Sequence, residues 1–242
     1  MKRLGNVLMW SLGLALLIIL IQQPVSSPVT TWRTWSLPLA GKTIVLDPGH
    51  GAPDGGAVGK DGTLEKEIAL SVAKQLQNYL QQTGAVVYLT RKNDADLADP
   101  DTKGLSRRKA EDIRRRVEII NNKQANFFVS IHLNALPSAK WSGAQTFFYP
   151  ESDKGEYLAK MIQAEIIRNL ENTTRAALPL TNMYLLKHAE VPGALVEIGF
   201  LSNVEERELL KQTEYQKKMA ASMYQGILRY VTEDIQKEQK EQ

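Results

Sequence analysis

Thr43-Ile44-Val45-Leu46-Asp47-Pro48-Gly49-His50-Gly51 changes character halfway along. A short apolar run suited to a buried strand gives way to a Pro/Gly turn that carries a histidine. A glycine-rich loop, Gly51–Gly62, follows, and then Leu64, Ile68, Val72, Leu76 and Leu80 recur every four residues. That period is the inward face of a helix, and Gly84 supplies its stop. Val86–Thr90 (VVYLT) is the next β-rich run. Strand, loop, helix and strand in this order make the repeating unit of an α/β sheet.

The alternation continues outward from this unit. A helix is predicted over Ser106–Lys123, with Ile113, Val117 and Ile120 inward, and strands over Phe127–Ile131 and Thr146–Tyr149. Glu156–Leu170 reads as a helix, Tyr184–Leu186 as a short strand, and Ala194–Val196 as a strand leading into Glu197. A last helix is expected from about Gln212 to Val231, followed by a frayed Lys/Glu/Gln-rich tail. The expectation is a single α/β domain over residues 41–233, with a polar tail at 234–242. Its twisted, mainly parallel or mixed sheet would be flanked by helices on both faces.

Upstream, Lys2 and Arg3 precede an apolar run from Val7 to Ile21, the basic and apolar regions of an export signal. Residues 1–24 are therefore expected to form a signal-anchor or transmembrane helix, and the Pro/Ser/Thr-rich residues 25–40 a linker. Val25 and Ser27 offer small residues for cleavage, whereas Pro28 directly after the cut favours an uncleaved anchor. Basic residues before the segment place the bulk of the chain outside the cytoplasm. A buried core helix is the competing reading; a basic tip at the start and a Pro-rich loop at the end argue against it.

Composition narrows the chemistry. None of the 242 residues is cysteine, which removes disulfides, thiolate nucleophiles and Cys-based metal sites. Three histidines (His50, His132 and His188) are the whole supply for any imidazole site. A formal net charge of +3, from 30 Lys+Arg against 27 Asp+Glu, is too even to point to nucleic acid as a partner.

Functional groups in α/β sheets gather beyond the carboxyl ends of strands. Three such ends here carry unusual polar residues: Asp47-Pro48-Gly49-His50, Ile131-His132-Leu133-Asn134 and Val196-Glu197-Ile198-Gly199. Glu65 opens the helix after the glycine-rich loop. Amide-hydrolysing zinc sites use three protein ligands, two His and one carboxylate among the known sets, and leave a position for water. His50, Glu65 and His132 would supply the ligands, and Glu197 the separate general base. Each also has a plainer reading. His50 could be a turn residue, His132 a satisfied core histidine, and Glu65 a helix N-terminal charge. Glu197 is the most telling, because an unpaired carboxylate at a strand end is costly unless used.

The motifs LDPGHG (Leu46–Gly51), LEKE (Leu64–Glu67), SIHLNA (Ser130–Ala135) and LVEIGFLSN (Leu195–Asn203) resemble those of the N-acetylmuramoyl-L-alanine amidase family of zinc hydrolases, the amidase_3 type. The resemblance spans about Gly41 to Val231. It implies zinc held by His50, Glu65 and His132, Glu197 as catalytic carboxylate, and peptidoglycan as substrate. WSLPL, TKGLSRRKAEDIRRRVEIIN, KWSGAQ and NLENTTR make the chain resemble more closely the germination-specific amidases of spore-forming bacteria. That implies stem-peptide removal before muramic δ-lactam formation in spore cortex. The competing functions are a zinc carboxypeptidase or deacetylase, or a non-catalytic, membrane-tethered wall-binding protein. A protein activator is left open.

Other polar residues read as accessory. His188 is expected to be a solvated loop residue, and the cluster Arg107–Arg116 mostly a solvated, ion-paired helix face. Lys66 and Glu67 read as cheap surface charge. Asn134 could orient a ligand or cap its loop.

Overall fold

The computed structural model describes residues 9–10, 13–15 and 37–240, with side chains as far as 233. The expected signal-anchor at 1–24 and most of the linker at 25–40 lie outside the described residues; residues 9–10 and 13–15 are helical. Among the described residues no helix is long and apolar enough to cross a membrane. The chain divides into two units, Met1–Ser36 and Leu37–Gln242, and the second contains the sheet.

Its elements run β1 (Thr43–Pro48), α1 (Glu65–Gln82), β2 (Val86–Leu89), α2 (Leu105–Asn122), β3 (Phe127–Asn134), β4 (Gln145–Phe148), α3 (Asp153–Leu170), β5 (Leu178–Pro179), α4 (Tyr184–His188), β6 (Gly193–Phe200), α5 (Val204–Leu210) and α6 (Thr213–Lys240). The sheet order is β2-β1-β3-β6-β4-β5. β2, β1, β3 and β6 are mutually parallel, and β4 is antiparallel to β6, so the sheet is mixed.

Successive side chains of a strand leave on opposite faces. Ile44 and Leu46 of β1, Phe127, Val129 and Ile131 of β3, and Ala194, Val196 and Ile198 of β6 enter one core with α1, α3 and α6. Val45, Phe128 and Leu195 enter the other, with Val117 and Ile120 of α2 and Leu185 and Leu186 of α4. Strands apolar on both faces are the signature of a sheet covered on both sides. Polar residues continuing the second parity, Asp47, Ser130, His132 and Glu197, therefore leave the sheet toward the side of α2.

Several boundaries differ from expectation. Tyr184–Leu186 begins the short helix α4, not a strand; Leu185 and Leu186 are both buried in one core, which adjacent strand residues could not share. β3 and β6 run on past the apolar runs, so His132 and Glu197 sit within strands rather than just after them. α3 starts at Asp153 because Ser152 accepts a hydrogen bond from the Gly155 amide as N-cap. The last helix continues to Lys240, through most of the expected frayed tail. α5 and β5 were not anticipated; Asn203 caps α5 by accepting from the Glu206 amide.

Candidate metal centre

β1 ends at Pro48 and runs into the turn that carries His50. His50 has φ +61°, in the left-handed region where a side chain is strained. Two buried arginines hold this turn by its carbonyls. Arg91 donates to Pro48 O and Gly49 O (3.0 and 2.8 Å), and Arg116 donates to Pro48 O (2.8 Å) and His50 O.

Arg116 corrects the expectation of a solvated helix face. It is 3% exposed, and its guanidinium meets Asp47 Oδ1 at 2.7 Å and Asp112 Oδ2 at 2.9 Å. Asp47 also accepts from Thr90 Oγ1 and Ser130 Oγ, both at 2.6 Å. Burial alone would push its carboxyl up, but Arg116 and the two hydroxyls prevail and hold it at about 2. Lys66, too, is buried, paired with Asp94 at 2.7 Å, rather than a free surface charge.

On this frame the three expected ligands converge. His50, Glu65 and His132 each offer one ligand atom, and these atoms lie within 4.8 Å of one another. Glu65 Oε2 is 3.1 Å from His50 Nε2, and Glu65 Oε1 is 2.9 Å from His132 Nδ1. The imidazole rings meet edge-on with centroids 5.2 Å apart. Backbone amides fix the carboxylate between them: Ala57 N donates to Oε2 at 2.6 Å and Leu133 N to Oε1 at 2.9 Å. Burial would raise the Glu65 pKa, yet its bonds to His132 and His50 keep it well below the usual carboxylate range. The donor set is thus two imidazoles and one ionised carboxylate, which fits a divalent cation of the zinc type.

Two glycines give the cluster its room. A Cβ on Gly49 would lie 2.4 Å from His132 Cε1, and one on Gly56 2.5 Å from Glu65 Oε2. Asp54, which the sequence reading passed over, is 2.7 Å from His50 Nδ1 and is itself paired with Lys109 at 3.0 Å. A carboxylate on Nδ1 fixes the tautomer that turns Nε2 toward Glu65. The only available signal was its spacing four residues after His50.

Glu197 stands directly opposite His132 in the β3–β6 ladder and opposite Gln145 of β4. Its Oε2 is buried and has no hydrogen-bond partner among the described residues. Burial raises its pKa to about 7, with the Glu65 carboxylate pushing the same way and the imidazoles of His132 and His50 opposing. A carboxylate poised near neutrality beside a cation site is suited to proton transfer. A cleft beside the cluster is lined by His50, His132, Lys109, Ile113, Met183 and Leu185 among others. His188 takes no part; it is exposed at the end of α4 and stacks on Tyr184 with centroids 4.1 Å apart. The backbone carbonyl of Asn134 accepts from Leu201 N.

Comparison with known proteins gives a consistent picture. A family model described as N-acetylmuramoyl-L-alanine amidase matches residues 44–229. The germination-specific N-acetylmuramoyl-L-alanine amidase of Bacillus subtilis (strain 168) is 54% identical over 233 residues, covering 96% of this chain and 98% of that protein. The amidase LytC of the same organism is 33% identical over 195 residues, 80% of this chain and 36% of its own length. Among solved structures, the CwlD amidase of Clostridioides difficile, in complex with the GerS lipoprotein, superposes with a TM-score of 0.77 at 41% identity, covering 79% of this chain and 98% of that one. An N-acetylmuramoyl-L-alanine amidase from Clostridium difficile 630 gives 0.70 at 29%, covering 79% and 97%.

Proposed function

The chain belongs to the N-acetylmuramoyl-L-alanine amidase family, which cleaves the amide between N-acetylmuramic acid and L-alanine in peptidoglycan, and on that premise we propose that His50, Glu65 and His132 hold zinc while Glu197 carries the proton. The observation that carries this reading is one arrangement. Three donor atoms lie within 4.8 Å of one another, and the residue facing His132 across the ladder has a carboxylate oxygen with no hydrogen-bond partner among the described residues.

Bound zinc would supply Lewis acidity and bring the pKa of a water from about 15.7 to roughly 7. The chain's own residues do the rest. His50 presents Nε2 because Asp54 occupies Nδ1, and Glu65 is held ionised by His132 and His50 and fixed in place by its two backbone donors. Glu197 takes the proton from the attacking water and delivers it to the amide nitrogen. The C–N bond breaks to leave a lactyl carboxylate on the sugar and a free amine on L-alanine. A positioned base of this kind contributes about 10²–10⁴-fold.

The germination-specific relative supports a role in spore cortex, where stem-peptide removal precedes muramic lactam formation. Action on cell wall places the domain outside the cytoplasm. Residues 1–24 would tether it to the membrane through the linker at 25–40, with catalysis in residues 41–233 and a polar tail at 234–242. The neighbouring structure solved with a lipoprotein supports a protein partner for this chain as well.

The test is to incubate the protein, with zinc and with chelator, on purified peptidoglycan and to analyse products by mass spectrometry. Free stem peptides beginning with L-alanine, released only with zinc, are expected. Shortened peptides still joined to sugar would overturn the assignment. Glu197→Ala is expected to abolish release with zinc still bound; loss of zinc would make that residue a ligand instead.

A further inference from the structure

Beyond the cluster, the same edge of the sheet carries an aromatic–cation stack that the hydrolytic step does not use. Arg175 lies over the ring of Trp141, 5.9 Å from its centroid, and over that of Phe200, at 5.4 Å. Trp141 is 51% exposed, although it is held in a well-bonded loop. Arg175 Nη1 donates to Ser142 O and Gly143 O, both at 2.6 Å. The buried Glu206 carboxylate accepts from Gly143 N at 2.7 Å and from Phe200 N at 2.8 Å, tying the loop to the end of β6. Gly143 has φ +87°, and a Cβ there would lie 2.4 Å from Asn172 O, so the loop lies directly on the segment bearing Arg175.

A β-bulge puts the inner end of this stack, Phe200, in register with the strand that carries His132. The ladder pairs His132 with Glu197 and then Asn134 with Phe200, two residues along β3 against three along β6. Paired residues share a face, and the extra residue reverses the alternation. Phe200, which unbroken alternation would send to the α1 side, is therefore placed on the face of Glu197 and His132. Two residues of strand correspond to roughly 7 Å, about the size of a sugar residue. That spacing belongs to Phe200, the inner end of the stack, and Trp141 lies further out across Arg175; its exposed ring offers a flat apolar surface to the C–H face of a pyranose ring, and the polar residues Ser142, Asn172, Thr173 and Thr174 line a hollow beside it.

We propose that Trp141, backed by Arg175 and Phe200, is a subsite for the glycan strand adjoining the muramic acid whose amide is cut. The inference rests on the amidase reading above and adds to it the direction in which the polysaccharide leaves the metal centre. Binding energy gathered on a neighbouring sugar would favour polymeric wall over isolated muramyl peptides.

The experiment measures kcat/KM on glycan-linked peptidoglycan and on a single muramyl peptide, with the full chain and its Trp141→Ala and Trp141→Phe variants. Affinity for peptide-free glycan strands is measured in parallel by calorimetry, with thermal midpoints recorded for each protein. Trp141→Ala is expected to lower the ratio of the two kcat/KM values about tenfold, through KM, and to weaken glycan binding similarly. Trp141→Phe is expected to restore most of both. An unchanged ratio with unchanged glycan affinity overturns the proposal. Equal losses on both substrates with a lowered thermal midpoint also overturn it, by assigning Trp141 a structural role. Should the wild type cleave neither substrate, the amidase reading fails, while the glycan affinities still judge the subsite on their own.

Discussion

Glu197 faces His132 across parallel strands β3 and β6, and both side chains leave the sheet on the side of α2. Neighbouring strands are only about 4.8 Å apart, so the carboxylate on one and the imidazole on the other are brought close together by the sheet itself.

The pH profile follows from Glu197. Its carboxyl is raised to about 7, by burial first and by Glu65 second. Acting as a base, it works ionised, so activity is full above its pKa and falls as pH drops through it. A bound cation favours the ionised form, which moves this limb to or below about pH 7. In pH–rate measurements, kcat/KM is expected to fall about tenfold per unit on the acid side. Glu197→Gln is expected to remove that limb along with most of the rate.

Stability should respond to Arg116 and Asp47. Removing one partner of a buried ion pair costs about 3–5 kcal/mol, so Arg116→Ala is expected to lower the free energy of unfolding, measured by denaturant titration, by that order. The double change with Asp47→Asn should cost less than the two single losses together. Asp47 sits at about 2 in the fold against an ordinary 3.8. As pH falls, the unfolded chain takes up this proton first. About 2 kcal/mol of stability, present in full above about pH 4, is therefore lost as pH falls toward 2. Equilibrium unfolding at several pH values checks both expectations.

Gly49→Ala and Gly56→Ala should act on metal binding more than on the fold. Their Cβ atoms would meet His132 and Glu65 inside normal contact distance, and Gly56 has φ +72° as well. Zinc affinity, measured by competition with a chromogenic chelator, is expected to drop tenfold or more, at least matching the loss of a supporting hydrogen bond. Far-ultraviolet circular dichroism should stay close to wild type.

Asp54→Asn tests the support of His50. Carboxylates that orient a metal-binding imidazole contribute about 10–100-fold to affinity. The variant is expected to lose zinc within that range, and to lose the thermal stabilisation that added zinc gives the wild type by mass action. Unchanged affinity would mean that the turn, held by Arg91 and Arg116, keeps His50 in place by itself.

The amino-acid order by itself determined the α/β domain with its mixed sheet, and it singled out His50, Glu65 and His132, which the fold brings together. Both rest on local information: apolar periods of two and about four residues, glycines at the turns, and polar residues lodged where apolar runs end. The same local view misread Tyr184–Leu186, because a short apolar run suits a strand or a helix equally, and it ended β3 and β6 just before His132 and Glu197.

What only the tertiary structure decided is everything that needs two distant segments at once. Arg116 lies 69 residues from Asp47 and looks like its solvated neighbours on α2 until packing of α2 on the sheet buries it. The bulge that brings Phe200 to the face of Glu197 exists only in the register of β6 against β3. Side-chain type is written in the chain, whereas burial and partnership are properties of surfaces that meet after folding.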